Sequence, residues 1–322
     1  MLAVIVVYKH HLRVDQFFSL FFCAVFLAIQ GSLFSTFNHE AQTRETFLRL
    51  AHTSPQPIIL ANDVDNIQED LPQINDDSFQ AVSAKSYVVV DINSAAILKS
   101  RNKDMPLYPA STVKLMTALV AKELYQLEDQ LQVNPGLNAA GNKVGFVWGG
   151  NVTVSDLLAS ILINSGNDAA LILAYHHPDG YQAFIDQMNS KAKDLSLLQT
   201  SFANPTGIDD YRQLSSSWDL SLLAREVLKD SLLSVLPTYQ QMNIRDQKLG
   251  IEYHLNNTNQ LLNDYQQVRG LKTGTTLLAQ QVLITVWEEG DNPILIVVMG
   301  STDRYQDTRA LIDWVGSSVS WR

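Results

Sequence analysis

Val282-Leu-Ile-Thr-Val-Trp287, the turn Gly290-Asp-Asn-Pro293, and Ile294-Leu-Ile-Val-Val-Met299 place two apolar strands with a tight connection near the end of a 322-residue chain. Apolar runs of this length, bounded by turn residues, suit β-strands. A second pair stands far upstream: Ser86-Tyr-Val-Val-Val-Asp-Ile92, a turn at Asn93-Ser94, and Ala96-Ile-Leu-Lys99 read as a β-hairpin. Between the two pairs, residues 113–124, 155–163, 169–175, 180–195 and 217–229 carry apolar side chains at three- and four-residue spacing, which predicts helices. A last helix is expected from about residue 303 to 315. Strands at both ends with helices between them give an α+β fold. One antiparallel sheet is assembled from both ends of the domain, with helices on its faces and a helical insert, and an active site belongs where the sheet edge meets that insert.

The bulk composition narrows the functional classes. With 46% hydrophobic and 17% charged residues the chain can bury a large core, and its net charge of −10 argues against a nucleic-acid partner. The single cysteine, Cys23, leaves no disulfide framework and no thiol nucleophile in the body of the protein. Cys23 follows Leu-Phe-Phe rather than small residues, which argues against lipid attachment. It sits in an apolar run, residues 17–37, preceded by Lys9 and Arg13, so residues 1–37 read as an N-terminal membrane anchor or signal segment. The region around Gln30-Gly-Ser-Leu-Phe-Ser35 is a poor cleavage site, which favours an uncleaved anchor with the remainder exported. Residues 38–82 read as an acidic flexible linker, because positions 38–81 hold eight acids against Arg44 and Arg49 and carry Pro55, Pro57 and Pro72. The catalytic domain is then expected over 83–322.

Three short strings supply the chemistry: Ser111-Thr-Val-Lys114, Ser165-Gly-Asn167 and Lys272-Thr273-Gly274. An isolated S-x-x-K occurs by chance about once in such a chain, and Ser100-Arg-Asn-Lys103 and Ser190-Lys-Ala-Lys193 are chance copies. The ordered trio is far rarer. Ser111 lies at the start of a helical pattern, where unpaired backbone N–H groups can stabilise an oxyanion, and Lys114 shares its helix face. That pairs a nucleophile with a base, provided burial and a second cation weaken the ammonium; Lys272 is the candidate cation. Ser165 could relay a proton and Asn167 hold a substrate amide at the break between two helices. Lys272-Thr273-Gly274 lies in an expected edge strand, where Gly274 leaves room for an extended peptide. There Lys272 and the hydroxyls of Thr273 and Thr275 would orient a substrate carboxylate, with the Thr275 N–H as a second oxyanion donor. Each string alone also has a plainer reading, as a helix cap, an interhelical turn or a solvated edge strand. Their combination favours serine acyl transfer. No metal site or cofactor is implied: H-E-x-x-H and paired-cysteine spacings are absent, and His176-His177-Pro178 reads as a helix-ending loop.

Over residues 86–315 the sequence resembles the serine-type D-alanyl-D-alanine carboxypeptidases, the low-molecular-mass penicillin-binding proteins of the S11 type. The resemblance is carried by the trio together with Pro109-Ala-Ser-Thr-Val-Lys-Leu-Met-Thr-Ala-Leu119, Asn164-Ser-Gly-Asn-Asp-Ala-Ala170, Phe202-Ala-Asn-Pro-Thr-Gly-Ile208, Asn257-Thr-Asn-Gln-Leu-Leu262, Gly270-Leu-Lys-Thr-Gly-Thr-Thr276 and Val298-Met-Gly300. It implies a β-lactamase/transpeptidase-like fold. It also implies an acyl-enzyme on Ser111 formed from the penultimate D-Ala of peptidoglycan stem peptides, acylation of the same serine by β-lactam antibiotics, and Arg304 as an arginine near the substrate carboxylate. The alternatives are a D,D-endopeptidase acting on cross-links, or a β-lactam sensor or wall-binding protein with poor turnover. Leu277-Leu-Ala-Gln280-Gln281 departs from the family's alanine-glycine pair and puts a bulky polar side chain where close backbone packing is expected.

Overall fold

The computed structural model describes residues 71–321 apart from 77, 80, 135, 136 and 138. In chain order the elements are β1 (Gln73–Ile74), β2 (Ser86–Asp91), β3 (Ile97–Arg101), a 3-10 turn over Ala110–Val113 and α1 (Lys114–Leu124). Next come β4 (Gln130–Gln132), β5 (Asn151–Thr153), α2 (Val154–Leu162), α3 (Asn167–Tyr175), α4 (Tyr181–Asp194), α5 (Ser217–Leu228) and α6 (Ser231–Val235). The chain ends with β6 (Gln241–Arg245), β7 (Glu252–Asn256), α7 (Leu261–Asp264), β8 (Val268–Thr276), β9 (Gln280–Glu289), β10 (Asn292–Ser301), α8 (Arg304–Ser318) and β11 (Val319–Ser320).

The five-stranded sheet has the order β3-β2-β10-β9-β8, so the N-terminal hairpin docks on strands from the other end of the domain. Every neighbouring pair is antiparallel, with Val89 opposite Ile296 and Gly274 opposite Val282. Tyr87, Val89, Leu283, Ile294, Ile296 and Val298 share one buried face with Leu311, Trp314 and Val315 of α8. The alternate residues Val88, Val90, Leu295 and Val297 are buried as well, with α5 packed on β2 and β10. Cover on both faces explains why these strands read as unbroken apolar runs. Helices α1 to α4 form the insert, and α1 runs through its centre with Leu115, Met116, Ala118 and Val120 wholly buried. β8 is one of the two edge strands, β3 being the other, and the serine-bearing turn lies against β8.

The expected linker ends too late. Gln73–Ile74 pairs with Val319–Ser320, Phe79 packs on Tyr87 and Trp314, and Val82 belongs to the core, so the fold already includes residues about ten before position 83. A two-residue strand and a lone aromatic leave no periodicity to read. Residues 1–70, including the apolar run 17–37 and most of the expected linker, lie outside the described residues. Among the described residues no helix is long and apolar enough to cross a membrane.

Buried Asp307 closes the seam between the two ends of the domain. It accepts hydrogen bonds from the Ser83 N–H at 2.8 Å, the Ser83 hydroxyl at 2.7 Å and the Ser301 hydroxyl at 2.6 Å. Asp307→Ala leaves those donors unpaired and is expected to cost about 2–4 kcal/mol of unfolding free energy in denaturant titration. A loss below about 0.5 kcal/mol would show that the seam does not depend on it.

Candidate active site

Ser111 sits in the 3-10 turn that leads into α1, and the turn is forced close to its surroundings. Ala110 has φ +49°, a left-handed conformation costly for a residue with a Cβ. Two glycines make room for it. A Cβ on Gly207 would lie 2.0 Å from the Ala110 carbonyl oxygen, and one on Gly274 would lie 2.9 Å from the Ala110 Cβ and 3.0 Å from the Ser111 nitrogen. Gly274 is therefore required by the serine's own turn, a cause different from the peptide access inferred from sequence. Ser111 is half-buried among buried neighbours.

Lys114 is fully buried, with its Nζ 3.0 Å from Ser111 Oγ and 2.5 Å from the Thr206 carbonyl oxygen. In the ammonium form Nζ donates to both. In the neutral amine the serine hydroxyl can donate to Nζ instead, the arrangement a base needs. Burial first, and the charge of Lys272 second, push Lys114 well below the ordinary lysine range, while Asp168 acts in the opposite direction. The Thr206 carbonyl has no side-chain signature and was invisible in the sequence.

Ser165 is buried with φ +59° at the break between α2 and α3, where the sequence placed it. Asn167 opens α3. Its Nδ2 donates to the Ala140 carbonyl at 2.6 Å, and its backbone N–H donates to the Asn142 carbonyl at 2.8 Å. Its Oδ1 is buried without a partner, leaving an acceptor that can take a ligand N–H. Thr258 links this region to β8: its N–H donates to the Ile163 carbonyl, and its hydroxyl is 2.6 Å from that of Thr273. The Thr273 hydroxyl is thus turned to Thr258 and buried, which differs from the carboxylate contact read from sequence. Thr275 is exposed and keeps that possibility.

Lys272 is 1% exposed, and burial together with the Arg304 charge brings it down to about 7. Arg304, the first residue of α8, donates through Nη1 to the Gly274 carbonyl at 2.7 Å and the Thr275 hydroxyl at 2.8 Å. The departure at Gln280-Gln281 explains how it is held. Gln281 Oε1 accepts the Arg304 backbone N–H and its Nε2 donates to the Thr302 carbonyl, while Gln280 takes φ +58° at the turn. Ser111, Lys114, Lys272, Gly274, Thr275 and Arg304 are therefore brought to one cleft between β8 and the insert, with the Ser165–Asn167 break beside it. Asp168 and Asp209 were missed as separate residues. Asp209 ties the β8–β9 turn through Thr276 Oγ1 at 2.6 Å and the Leu278 N–H at 3.1 Å.

A family model described as D-alanyl-D-alanine carboxypeptidase, peptidase S11, matches residues 73–303. The chain is 32% identical over 229 residues to D-alanyl-D-alanine carboxypeptidase DacF of Bacillus subtilis, covering 69% of this chain and 58% of that one. It is 30% identical over 243 residues to a D-alanyl-D-alanine endopeptidase of Escherichia coli, covering 73% and 77%. A D-alanyl-D-alanine carboxypeptidase structure from Mycobacterium tuberculosis superposes with TM-score 0.70 at 26% identity, covering 74% of this chain and 93% of that one. The chain spans about three fifths of the length of the curated carboxypeptidases it matches.

The buried lysine has a measurable cost. Folded Lys272 titrates near 7 against 10.5 for an ordinary lysine, so the unfolded chain binds more protons across that window and stability rises with pH through it. Lys272→Met removes the penalty. It is expected to raise the melting temperature most at about pH 6, by an amount worth a few kcal/mol, and progressively less towards about pH 9. Parallel melting curves for the two proteins over that range would remove the basis for a destabilised ammonium.

Proposed function

The chain belongs to the peptidase S11 family of D-alanyl-D-alanine carboxypeptidases, and from that membership we propose that it removes the terminal D-Ala from peptidoglycan stem peptides through an acyl-enzyme on Ser111. The observation that carries this reading is the 3.0 Å pair between Ser111 Oγ and a lysine whose charge is suppressed by burial and by a second lysine. Neutral Lys114 takes the serine proton as Oγ attacks the penultimate D-Ala carbonyl. The developing oxyanion is met by the backbone N–H groups of Ser111 and Thr275. As the amide bond breaks, the proton passes from Lys114 to the departing D-Ala amine, with the Ser165 hydroxyl as relay. Water then attacks the ester with Lys114 again as base. Asn167 Oδ1 accepts a substrate amide N–H, and Lys272, Thr275 and Arg304 hold the terminal carboxylate. A β-lactam acylates Ser111 by the same attack, with its ring amide as the bond broken.

No residue in this scheme calls for a metal or an organic cofactor. The catalytic unit is placed outside the cytoplasm, on the periplasmic or cell-wall side, tethered by the apolar segment 17–37; the basic residues before that segment and the acidic stretch after it support this placement. A second reading, D,D-endopeptidase action on cross-links, uses the same acyl-enzyme and is supported by the likeness to a protein of that name.

Incubation of the full chain with a peptide ending in D-Ala-D-Ala is expected to release D-alanine, and Ser111→Ala to reduce release by roughly a thousandfold or more. Equal release by the two proteins would rule out Ser111 as nucleophile. Cleavage of a cross-linked dimer in preference to the linear peptide would select the endopeptidase. A labelled penicillin adduct that persists without any release would select a sensor.

A further inference from the structure

Asp168 follows Asn167 in the first turn of α3 and is only 6% exposed. Its partners are backbone amides. Oδ1 accepts from the Val144 N–H at 3.0 Å and its own neighbour Ala169 at 3.0 Å, and Oδ2 accepts from Gly145 at 2.7 Å and Phe146 at 3.4 Å. Successive N–H groups converging on one carboxylate form a nest for negative charge. The same segment is fastened at both ends. Upstream, the Ala140 and Asn142 carbonyls accept from Asn167, and a Cβ on Gly141 would stand 3.0 Å from Asn167 Nδ2. Downstream, the Val147 N–H donates to the Tyr253 hydroxyl at 3.0 Å and the Phe146 and Tyr253 rings meet at 5.0 Å. Residues 140–147 thus form a wall beside the unpartnered Oδ1 of Asn167, with Asp168 as its central tie.

The charges around it give Asp168 a second consequence. Lys114 from α1 and Lys272 from β8 stand together, Arg304 from α8 acts on Lys272, and Asp168 from α3 is the anion that acts on Lys114. Tyr253 from β7 faces Asp168 and is held neutral by burial. A lysine that is buried beside another cation becomes a weak base, and a base far weaker than the operating pH takes a serine proton poorly. One fixed anion restores part of its strength.

We propose that Asp168 is a positioning residue of this acyl-transfer site: its carboxylate fixes the wall 140–147 against Asn167, and from that fixed place its negative charge bears on Lys114. The proposal rests on the acyl-enzyme reading of Ser111 given above. Neither role needs Asp168 to touch a substrate.

The test is the pH dependence of Ser111 acylation by a labelled penicillin, measured on the full chain. Asp168→Asn keeps the size and one acceptor but loses the charge and the tie to Gly145. The acid limb of its profile is expected to move to lower pH, because Lys114 sheds its proton more readily without the anion, while the plateau rate falls roughly ten- to hundredfold. Asp168→Glu keeps the charge but displaces the carboxylate, so its plateau falls and its acid limb stays. A limb in Asp168→Asn that superposes on wild type would overturn the electrostatic role. If Asp168→Asn does not fold, Asp168→Glu decides, since a plateau within about twofold of wild type would show that the site does not depend on where the carboxylate is held and would overturn the positioning role. Absence of any adduct on folded wild type would instead strike at the Ser111 reading itself.

Discussion

Two lysine side chains buried within reach of each other's charge are the condition around which this domain is arranged. Removing one ammonium from water costs several kcal/mol, and adding a second like charge in low-dielectric surroundings compounds the cost. Lys114 and Lys272 meet that cost in different ways. Lys114 is pushed well below the ordinary lysine range by burial and by the charge of Lys272, with Asp168 acting in the opposite direction and the Ser111 hydroxyl and Thr206 carbonyl as its hydrogen-bond partners. Lys272 donates to its neighbour Thr273's carbonyl at 3.2 Å, and burial with the Arg304 charge brings it down to about 7, which leaves it partly charged at neutral pH. The apolar strands and helices at the back of the cleft supply the stability that this arrangement consumes.

The second condition is steric. A serine can face a buried lysine three residues on only if its turn is pressed into the gap between the sheet edge and the segment that carries Thr206. Ala110 accepts a left-handed backbone to do so, and Gly207 and Gly274 remove the side chains that would collide with it. Thr206, adjacent to one of those glycines, presents the carbonyl that fixes Lys114 Nζ. Ser111, Lys114 and the edge strand are therefore positioned by one set of close backbone contacts, and movement of either glycine-bearing segment would disturb all of them.

How much of this could be read from the sequence depends on where the information resides. The sheet strands were legible because cover on both faces produces long apolar runs, and the long helices because one face is buried at a regular spacing. The hairpin of β6 and β7 escaped notice. In Gln241–Arg245 and Glu252–Asn256 the alternation is present, but only Ile244, Tyr253 and Leu255 are buried, too few to stand out against polar neighbours. Ser111, Lys114, Ser165, Asn167 and Lys272 were visible as side-chain types at fixed spacing. Thr206 acts through its backbone, Thr273 is diverted by a threonine fifteen positions earlier, and Gly274 serves a turn more than 160 residues upstream. Such relations exist only after the chain has closed on itself. Asp168 lay within a recognised string but was overshadowed by the asparagine before it.

Two buried lysines and an arginine face one buried carboxylate, Asp168, so positive charge prevails in the cleft. On the proposed reading a substrate carboxylate beside Lys272 and Arg304 would offset that charge, and by linkage the gain would be mutual: the anion favours the charged form of Lys272, and charged Lys272 favours the anion. The effect extends to Lys114, since Lys272 is one of the two charges acting on it. An anion that restores full charge to Lys272 would itself offset that charge at close range. On that reading Lys114 would feel a similar field with and without the anion. Recognition of the carboxylate and deprotonation of the serine can then proceed in one cleft without the first step disabling the second.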